Sequence, residues 1–263
     1  MPDTINAIAT ALAELRFERR TVAQLPEDAR PTSLAQAYAA QDALVTQLLA
    51  RHGGHTVGYK TACTNALARA QLKVSHPLVG QLLSYSTHAA PVILPADDFT
   101  LRTIEPEFGF RMGADAPAQA APYTAESITA LIADAFAGIE IVDHRFHDWS
   151  AVGAATIAAD NAIHGAYVQG MPCANWRQLD LVNQQVTLTV NGARVREGNG
   201  AAVLGSPFTA LAWLANELLR FGKLLKAGDV ITTGVVCDVY AAQCGDDMTA
   251  DFGPLGSVRL GFN

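Results

Sequence analysis

The stretch Ile104-Glu105-Pro106-Glu107-Phe108 places two carboxylates inside a run of apolar, β-type residues. In a strand, residues two apart point to the same face, so Glu105 and Glu107 project together while their apolar neighbours project the other way. Pro106 removes one backbone donor from the strand ladder, which predicts an edge strand or a bulge. Two carboxylates in such a poorly solvated place must share a proton or a cation.

A third carboxylate, Glu140, lies within a second apolar run at residues 138–142, where a sheet core would ordinarily hold another hydrophobic residue. Three convergent carboxylates without a Cys or His partner suit a hard divalent ion, Mg²⁺ or Mn²⁺, whose remaining ligands are water or substrate oxygens. On a sheet face, the same acids could instead pair with Arg102, Arg111 and Arg145. The spacing alone leaves both interpretations open.

The composition of the 263-residue chain, 50% hydrophobic and 16% charged, is typical of a globular protein and excludes a disordered or fibrous one. Its length predicts one large domain or two small ones. The formal net charge of −7 argues against nucleic acid or an anionic membrane as the main partner, since both reward clustered Lys and Arg. The cysteines form no zinc or redox spacing, and we find neither a secretion signal nor about 18 consecutive apolar residues. We therefore expect a soluble, cytoplasmic protein with reduced thiols.

Helical spacing dominates the first fifty residues, and short β-type runs between Gly and Pro dominate the rest. We therefore predict a helical N-terminal cap over residues 1–53, on a mostly antiparallel or rolled sheet over residues 54–263, together one compact unit. The predicted helices are 4–20, 33–52, 124–137 and 207–221, and the predicted strands are 55–60, 92–94, 103–112, 138–144, 186–190, 229–236 and 257–262. Asn191-Gly192 predicts a hairpin turn.

Three further places carry candidate functional side chains. Lys60 ends a β-type run, where it is either a surface charge or, if it points into a pocket, a group that binds a carboxylate or moves a proton. Asp160 and Asn161 either hydrogen-bond substrate or start a turn. Thr233 and Gly234 end another β-type run, where Gly permits close approach and Thr can donate to a ligand oxygen.

The seven histidines include two pairs separated by two residues, His52 with His55 and His144 with His147. Neither pair has the further ligands of a known zinc pattern, so we interpret them as surface or structural histidines. The chain also lacks a dinucleotide fingerprint, a phosphate loop and a Gly-x-Ser-x-Gly elbow. These absences exclude the commonest nucleotide-binding and serine-hydrolase functions.

Short motifs along the chain occur in a fixed order between about residue 34 and residue 262. They are Val-Gly-Tyr-Lys at 57–60, Ile-Glu-Pro-Glu-Phe-Gly-Phe at 104–110, Gly-Ile-Glu-Ile-Val-Asp-His-Arg at 138–145, Ala-Asp-Asn at 159–161, Gly-Ala-Ala-Val-Leu-Gly-Ser-Pro at 200–207, Ala-Leu-Ala-Trp-Leu-Ala-Asn at 210–216, Leu-Lys-Ala-Gly-Asp at 225–229 and Phe-Gly-Pro-Leu-Gly-Ser-Val at 252–258. In this order the chain resembles the 2-keto-4-pentenoate hydratase group of the fumarylacetoacetate hydrolase superfamily. Each motif alone is modest, whereas their order and spacing are highly specific.

The resemblance implies an α+β protein with a mixed β-roll, like the C-terminal domain of fumarylacetoacetase, as the catalytic domain over residues 54–263. It implies Mg²⁺ or Mn²⁺ held by Glu105, Glu107 and Glu140, a small 2-oxo or 2-hydroxy-dienoate substrate from the meta-cleavage of aromatic compounds, and a homo-oligomer. Lys60 falls on the family's substrate-handling Lys.

The resemblance also supplies a reaction, the addition of water to a 2-hydroxy-2,4-dienoate to give a 4-hydroxy-2-oxo acid. Lys60, with Asp160, is expected to move protons during this reaction. Asp160 and Thr233 fall on family positions that line the pocket, and we expect Asn161, Thr233 and Gly234 to bind substrate.

Three segments depart from the family pattern. Residues 62–64 are Ala-Cys-Thr, where family hydratases usually have Gly-Leu-Thr after the Tyr-Lys motif. Leu78 stands where family hydratases commonly carry an Asp in a Pro-Asp-aromatic-Gly pattern, and residues 162–164 replace a Ser-rich stretch. His76 or His164 is then a candidate for the missing acid–base function, with His76 included among the expected catalytic residues. The alternatives are decarboxylation of a 4-oxalocrotonate-type 2-oxo acid, C–C bond hydrolysis of a β-diketone and, less favoured, a non-catalytic binding module.

Overall fold

The computed structural model describes residues 2–263, so Met1 of the predicted N-terminal cap lies outside the described residues. The α-helices are α1 (Pro2–Phe17), α2 (Leu34–His52), α3 (Ala66–Leu72), α4 (Ala125–Thr129), α5 (Ala154–Ala159) and α6 (Pro207–Arg220). The strands are β1 (Thr56–Ala62), β2 (Leu78–Leu83), β3 (Thr87–Ala89), β4 (Val92–Leu94), β5 (Thr103–Met112), β6 (Ile132–Val142), β7 (His164–Gln169), β8 (Gln185–Val190), β9 (Ala193–Asn199), β10 (Val230–Val235), β11 (Tyr240–Ala241), β12 (Asp247–Asp251) and β13 (Ser257–Phe262).

The two N-terminal helices form where the sequence predicts them and pack against each other. The Ser33 side chain caps α2 by accepting a hydrogen bond from the backbone of Gln36, and Gly53 ends the helix with a φ of 77°. Leu12 of α1 and Leu44 of α2 are fully buried and belong to the same apolar cluster as the strands. The division of the chain at residue 53 into two domains stays a prediction.

The strands form two mixed sheets, in agreement with the predicted α+β class. The larger has the order β2-β1-β10-β5-β6-β7-β3, with β11 also paired to β5, and the smaller has the order β4-β13-β12-β8-β9. Most neighbours are antiparallel, while β1 with β10, β3 with β7 and β4 with β13 are parallel. Strands β5 and β6 therefore lie in the middle of the larger sheet, and each is paired with a strand on both sides.

The prediction of an edge strand at Pro106 is wrong, because β5 pairs with β10 on one side and β6 on the other. The bulge lies on the partner strand instead. The β10 register moves from Thr232 opposite Gly109 to Val235 opposite Glu107, so β10 has one extra residue here. This irregularity brings the backbone around residue 234 close to the Glu107 side chain.

The predicted helix at 124–137 is wrong beyond its first turn. Helix α4 has five residues and a capping box between Thr124 and Ser127, and the chain then continues as the eleven-residue strand β6. The alanine-rich composition of this segment favours a helix, but pairing on both sides overrides that preference. Packing also requires a small residue in this strand, since a Cβ at Gly138 would lie 2.1 Å from the Tyr167 hydroxyl oxygen.

The remaining predicted strands form close to their expected positions, and α6 confirms the predicted helix at 207–221. Ser206 caps α6 by accepting from Phe208, with Pro207 in the first turn. Asn191 and Gly192 have φ values of 51° and 82° and join β8 to β9, which confirms the hairpin.

One helical segment, Gly200–Arg220, has the length and mean hydropathy (1.2) that a membrane-crossing helix would need. Half of that segment is buried within the protein, and its regular helix α6 has only 14 residues. Leu211, Leu214 and Leu218 of α6 are buried in the apolar core. A core helix of a globular protein can have the same length and composition as a membrane-spanning helix. This segment is therefore only weak evidence for a membrane span.

Candidate metal centre

Glu105, Glu107 and Glu140 come together on the two central strands of the larger sheet. Strand register places Glu105 directly opposite Glu140, and Glu107 opposite Gly138. One carboxylate oxygen from each of the three lies within 4.8 Å of the others. Glu107 and Glu140 are fully buried, and Glu105 is half-buried and lines a cavity. The alternation of a strand thus produces the convergence that the sequence predicts.

The hydrogen bonds around these carboxylates leave oxygen atoms free for a ligand. Glu107 Oε2 accepts from the Gly234 backbone at 2.8 Å and from the Thr232 hydroxyl. Its other oxygen, Oε1, and Glu140 Oε2 are buried without a hydrogen-bond partner. Buried acceptors without a donor are costly, and three oxygen ligands of this kind fit a hard divalent cation.

Lys60 is buried beside the carboxylates, so its interpretation as a surface charge is wrong. Its side chain is 1% exposed, and Nζ lies 2.7 Å from Glu140 Oε1 and donates to the Ala162 carbonyl at 2.9 Å. Strand β1 continues past Lys60 to Ala62 and is covered by β2 on one side and β10 on the other. Gly80 of β2 faces Lys60 and makes room for it, since a Cβ there would lie 2.8 Å from Lys60 Cγ.

The pKa shifts of the three carboxyl groups follow from burial and from their unequal distances to the Lys60 ammonium group, which contacts Glu140. Burial, reinforced by Glu140, raises the pKa of Glu105 to about 7. Burial and the neighbouring carboxylates raise the pKa of Glu107 well above its usual value. Burial also acts to raise the pKa of Glu140, but contact with Lys60 and His164 outweighs it and lowers that pKa. Burial disfavours the Lys60 ammonium, yet the carboxylates led by Glu140 raise its pKa.

The arginines considered as alternative partners for these acids lie elsewhere. Arg111 is 3.5 Å from Asp134, and Arg145 pairs with Asp143. Arg102 donates to backbone carbonyls. The acidic residues are therefore left with Lys60 as their cation, and the interpretation as a sheet-face ion-pair network is wrong.

A cavity of about 750 Å³ opens above the carboxylates. Lys60, Glu105 and Gly234 line it next to the carboxylates, and we call this part of the wall its polar end. The rest of its wall includes residues of α3, the segment around Trp149, residues 235–239 and the side chains of Thr103, His144 and Glu197. This volume lies within the range of small-molecule binding sites, and most of the lining surface is apolar.

Asp160 and Asn161 do not line this cavity. The Asp160 carboxylate is buried and accepts from Arg16 Nε of α1 at 2.7 Å. The Asn161 side chain forms two hydrogen bonds with the Gln81 backbone on β2, accepting at 2.7 Å and donating at 2.9 Å. Both residues thus hold neighbouring segments of the same chain in place. Arg16 was not identified from the sequence, because its partner Asp160 is 144 residues away and no local pattern links them.

The segment after Asp160 has an unusual backbone. Asn161, Ala162 and Ile163 all have φ values near +50°, a conformation that side-chain-bearing residues rarely adopt. This segment presents the Ala162 carbonyl to Lys60 and brings in His164, whose Nδ1 lies 2.8 Å from Glu140 Oε1. His164 is buried, its Nε2 has no partner, and burial lowers its pKa.

The other candidate residues are divided between the cavity and the surrounding structure. Gly234 lines the cavity, whereas the Thr233 hydroxyl is buried and donates to the Phe108 carbonyl. His76 is not among the cavity residues, and its ring stacks near Trp213 of α6. Between the two histidines named for acid–base work, the structure places His164 at the carboxylates. Leu78 is buried in the apolar core.

The fumarylacetoacetate (FAA) hydrolase C-terminal family matches residues 55–262. A 2-keto-4-pentenoate hydratase from Paraburkholderia phymatum is 33% identical over 259 residues, covering 98% of this chain and 97% of the relative. A 4-oxalocrotonate decarboxylase from Pseudomonas putida is 27% identical over 260 residues, covering 99% and 97%.

The solved structures give the same result for the fold. The structure of 4-oxalocrotonate decarboxylase from Pseudomonas putida G7 with magnesium and adipate superposes with a TM-score of 0.92 at 25% sequence identity, covering 100% of this chain and 98% of that one. The curled mixed sheets predicted from the sequence are confirmed by this likeness. The chain belongs to the fumarylacetoacetate hydrolase C-terminal family.

Proposed function

We propose that the protein is a divalent-metal-dependent hydratase that adds water to a 2-hydroxy-2,4-dienoate and forms a 4-hydroxy-2-oxo acid. The observation that carries this proposal is the convergence of Glu105, Glu107 and Glu140 beside the buried Lys60, next to a cavity that Glu105 and Lys60 line. Several relatives at about 30% identity over nearly the whole chain are named 2-keto-4-pentenoate hydratase. This places the protein in the catabolism of aromatic compounds.

The three carboxylates would hold the metal, as Mg²⁺ or Mn²⁺. The partnerless oxygens of Glu107 and Glu140 fit such an ion, and a related decarboxylase was solved with magnesium. A bound divalent ion supplies Lewis acidity toward the carboxylate and C2 oxygen of the substrate. The Gly234 backbone and Thr232 hydroxyl orient Glu107 by donating to it.

Lys60 is the residue we assign to proton transfer. Hydration moves the C2 hydroxyl proton to C5, then bonds a water oxygen to C4 and a proton to C3. The ammonium group of Lys60 carries a proton at the polar end of the cavity, and contacts with Glu140 and the Ala162 carbonyl fix its position. His164 is hydrogen-bonded to the same oxygen of Glu140, Oε1, that contacts Lys60, and so helps to fix that carboxylate. Asp160 and Asn161 have a supporting role, through the segment that carries Ala162 and His164.

The direct test is the ultraviolet absorbance of 2-hydroxypenta-2,4-dienoate with chelator-treated protein, before and after addition of Mg²⁺ or Mn²⁺. We expect metal-dependent loss of the dienol and a product heavier by one water. No loss of absorbance with folded, metal-loaded protein contradicts the proposal.

The second candidate function is decarboxylation of a 4-oxalocrotonate-type acid, favoured by the structural likeness to 4-oxalocrotonate decarboxylase. Release of CO₂ from that substrate, with no hydration of the dienoate, would establish it instead. A non-catalytic module is disfavoured, since the clustered acids cost stability without an ion.

We further propose that the protein acts in the cytoplasm as a homo-oligomer, with a small-molecule substrate and without nucleic acid or membrane. These statements rest on the family resemblance and the net charge of −7. Light scattering after size-exclusion chromatography tests the assembly, and a monomeric mass at micromolar concentration contradicts it. Fractionation of the source cell tests the location.

A further inference from the structure

The cavity above the carboxylates is much larger than the smallest substrate of the proposed reaction. 2-Hydroxypenta-2,4-dienoate has about eight non-hydrogen atoms, which occupy roughly 240 Å³ if each takes the ~30 Å³ of a water molecule in the liquid. The cavity has about 750 Å³. A substrate bound by its carboxylate at the polar end therefore leaves most of the cavity for atoms beyond C5.

Most of the cavity wall is apolar, and we call its apolar part the apolar chamber. It is lined by Leu67 of α3, Trp149, Ile163, Val236 and Val239. Leu67 and Val239 are 69% and 43% exposed, which makes them two of the few large hydrophobic side chains at the protein surface among residues 2–263. Exposed apolar side chains that border a cavity mark a binding surface. Their position on the rim makes the distal part of the substrate the occupant that this surface fits.

Charge argues against a second carboxylate in this chamber. Lys60 is the only Lys or Arg among the cavity-lining residues in the described part of the chain, and it already contacts Glu140 and the Ala162 carbonyl. The other charged side chains of the wall, besides Glu105, are the acids Glu197 and Asp238. A distal carboxylate would thus lose its hydration without gaining a cation.

Two arginines close to the rim do not change this balance. Arg69 donates to the carbonyls of Cys63 and Thr64, and Arg196 donates to the carbonyls of Val239 and Val195. Their side chains do not line the cavity. The other donors of the wall are neutral groups such as Asn65, Gln71 and Thr103, together with His144, whose pKa is lowered by burial.

We infer that the preferred substrate carries an extended, uncharged apolar substituent beyond C5 and that dicarboxylates are rejected. This inference rests on the proposed function, because that function places the 2-oxo acid end at Glu105, Glu107 and Glu140. It separates this chain from a relative solved with adipate, a dicarboxylate. The chamber residues Leu67, Trp149 and Val239 are then specificity determinants.

The test measures binding apart from turnover, with saturated 2-oxo acids that cannot be hydrated. The Mg²⁺-loaded enzyme is titrated by calorimetry with 2-oxopentanoate, 2-oxooctanoate and 2-oxooctanedioate. A buried methylene is worth about fourfold in affinity, so we expect 2-oxooctanoate to bind at least tenfold more tightly than 2-oxopentanoate. We expect 2-oxooctanedioate, which differs from 2-oxooctanoate only in its distal carboxylate, to bind at least tenfold more weakly than it.

A variant adds a cation to the chamber. Leu67→Arg changes an exposed rim residue, so the fold is retained, and it should tighten 2-oxooctanedioate about tenfold while 2-oxopentanoate stays within twofold. Met171→Arg is the matched control, because Met171 is 78% exposed and does not line the cavity. It should change neither affinity.

The results distinguish a failure of the substrate preference from a failure of the proposed hydration reaction. Equal affinities for the short and long monoacids, equal affinities for the long monoacid and its dicarboxylate, or the same gain from Met171→Arg as from Leu67→Arg overturn the inference. If no dienoate is hydrated while the affinity order holds, the proposed reaction is wrong and the chamber's preference stands. If 2-hydroxypenta-2,4-dienoate is hydrated but the affinity order fails, only the inference is lost.

Discussion

Two buried polar clusters contact the segment 160–164, and they differ in charge balance. The acidic cluster consists of Glu105, Glu107, Glu140, Lys60 and His164, and the arginine cluster consists of Arg16, Asp143, Arg145 and Asp160. In the acidic cluster, three carboxylates face one ammonium group. In the arginine cluster, two carboxylates face two guanidinium groups. With all groups ionised, the acidic cluster thus carries excess negative charge, whereas the arginine cluster is neutral by itself.

Buried atoms without hydrogen-bond partners do not distinguish these clusters. The acidic cluster leaves Glu107 Oε1 and Glu140 Oε2 without partners, and the arginine cluster leaves Asp160 Oδ2 and Arg145 Nε. Excess charge does distinguish them, because a cation stabilises a cluster with too many carboxylates and gains nothing from a balanced one. The comparison teaches that net charge, taken with convergence of oxygen atoms, identifies the ligand site.

The largest expected effect comes from removing one negative charge from the acidic cluster. Glu107→Gln keeps the side-chain volume but loses a charged ligand, so we expect loss of Mg²⁺ binding and a fall in activity of at least about 10³-fold. Calorimetric Mg²⁺ titration and the dienol absorbance assay measure both. The matched control is Glu217→Gln, since Glu217 is also buried but pairs with Arg220 on α6. Full activity with unchanged metal content in Glu107→Gln would make the assignment of the metal centre wrong.

The next effect comes from the single cation of the acidic cluster. Lys60→Met removes the proposed proton carrier, so turnover should fall about 10²- to 10⁴-fold. The loss of the ammonium group leaves Glu140 without its main partner, so the metal-free variant should also melt at lower temperature than the wild-type protein. Lys223→Met is the control, because Lys223 pairs with Asp42 near the surface. A wild-type rate in Lys60→Met would leave Lys60 with a structural role alone.

The arginine cluster should respond in the opposite order, with stability affected more than chemistry. Arg16→Met leaves the buried Asp160 carboxylate without its guanidinium partner, which costs about 3–5 kcal/mol of unfolding free energy. Arg16 also donates to the carbonyls of Asp160 and His164, so the positions of Ala162 and His164 relax and kcat should fall about tenfold. Urea denaturation and kcat at a temperature well below melting separate these effects.

The control for Arg16→Met is Arg20→Met, because Arg20 is exposed and pairs only locally with Glu18. Arg20→Met should change neither quantity by much, since exposed pairs contribute less than about 1 kcal/mol. A loss of activity in Arg16→Met as large as that in Lys60→Met, without destabilisation, would contradict the division of roles between the two clusters.

The same contrast explains what the sequence could predict. The three acids were found because strand periodicity is local, and Glu105 and Glu140 stand out inside apolar runs. The arginine cluster was missed because Arg16 and Asp160 are 144 residues apart and each is ordinary in its own segment. Lys60 carried a local signal, but its burial depends on β2 and β10 covering β1, which no local pattern shows.

Errors in the predicted fold have a similar origin. The helix predicted over 124–137 follows a local pattern, whereas the strand β6 exists because β5 and β7 pair with it on both sides. The contact of His164 with Glu140 depends on a register irregularity between β6 and β7, where Val142 faces His164. Pairing partners and bulges are long-range properties, so sequence periodicity identified elements and candidate ligands but not their neighbours.

The smallest expected effect is a pH dependence confined to the acidic cluster. The pKa of Glu105 lies near 7 in the metal-free protein because burial, reinforced by Glu140, disfavours its charge. A carboxyl whose pKa is raised on folding stabilises the protein fully only below its unfolded pKa, and this stabilisation is lost as the pH rises through the folded value. The metal-free protein should thus lose stability from about pH 4.5 to 7 through this group.

Mg²⁺ competes with the proton on Glu105, so its effect should run in the opposite direction. We expect the Mg²⁺ affinity to fall at least about tenfold for each pH unit below 7, because a proton must leave Glu105 for the ion to bind and the pKa of Glu107 is raised as well. The increase in melting temperature caused by Mg²⁺ should accordingly be larger at pH 8 than at pH 6. Calorimetry and thermal melts at pH 6, 7 and 8 measure this, with added KCl at equal ionic strength as the control. An Mg²⁺ affinity independent of pH would mean that Glu105 is ionised throughout, and that the excess charge of the acidic cluster is balanced in some other way.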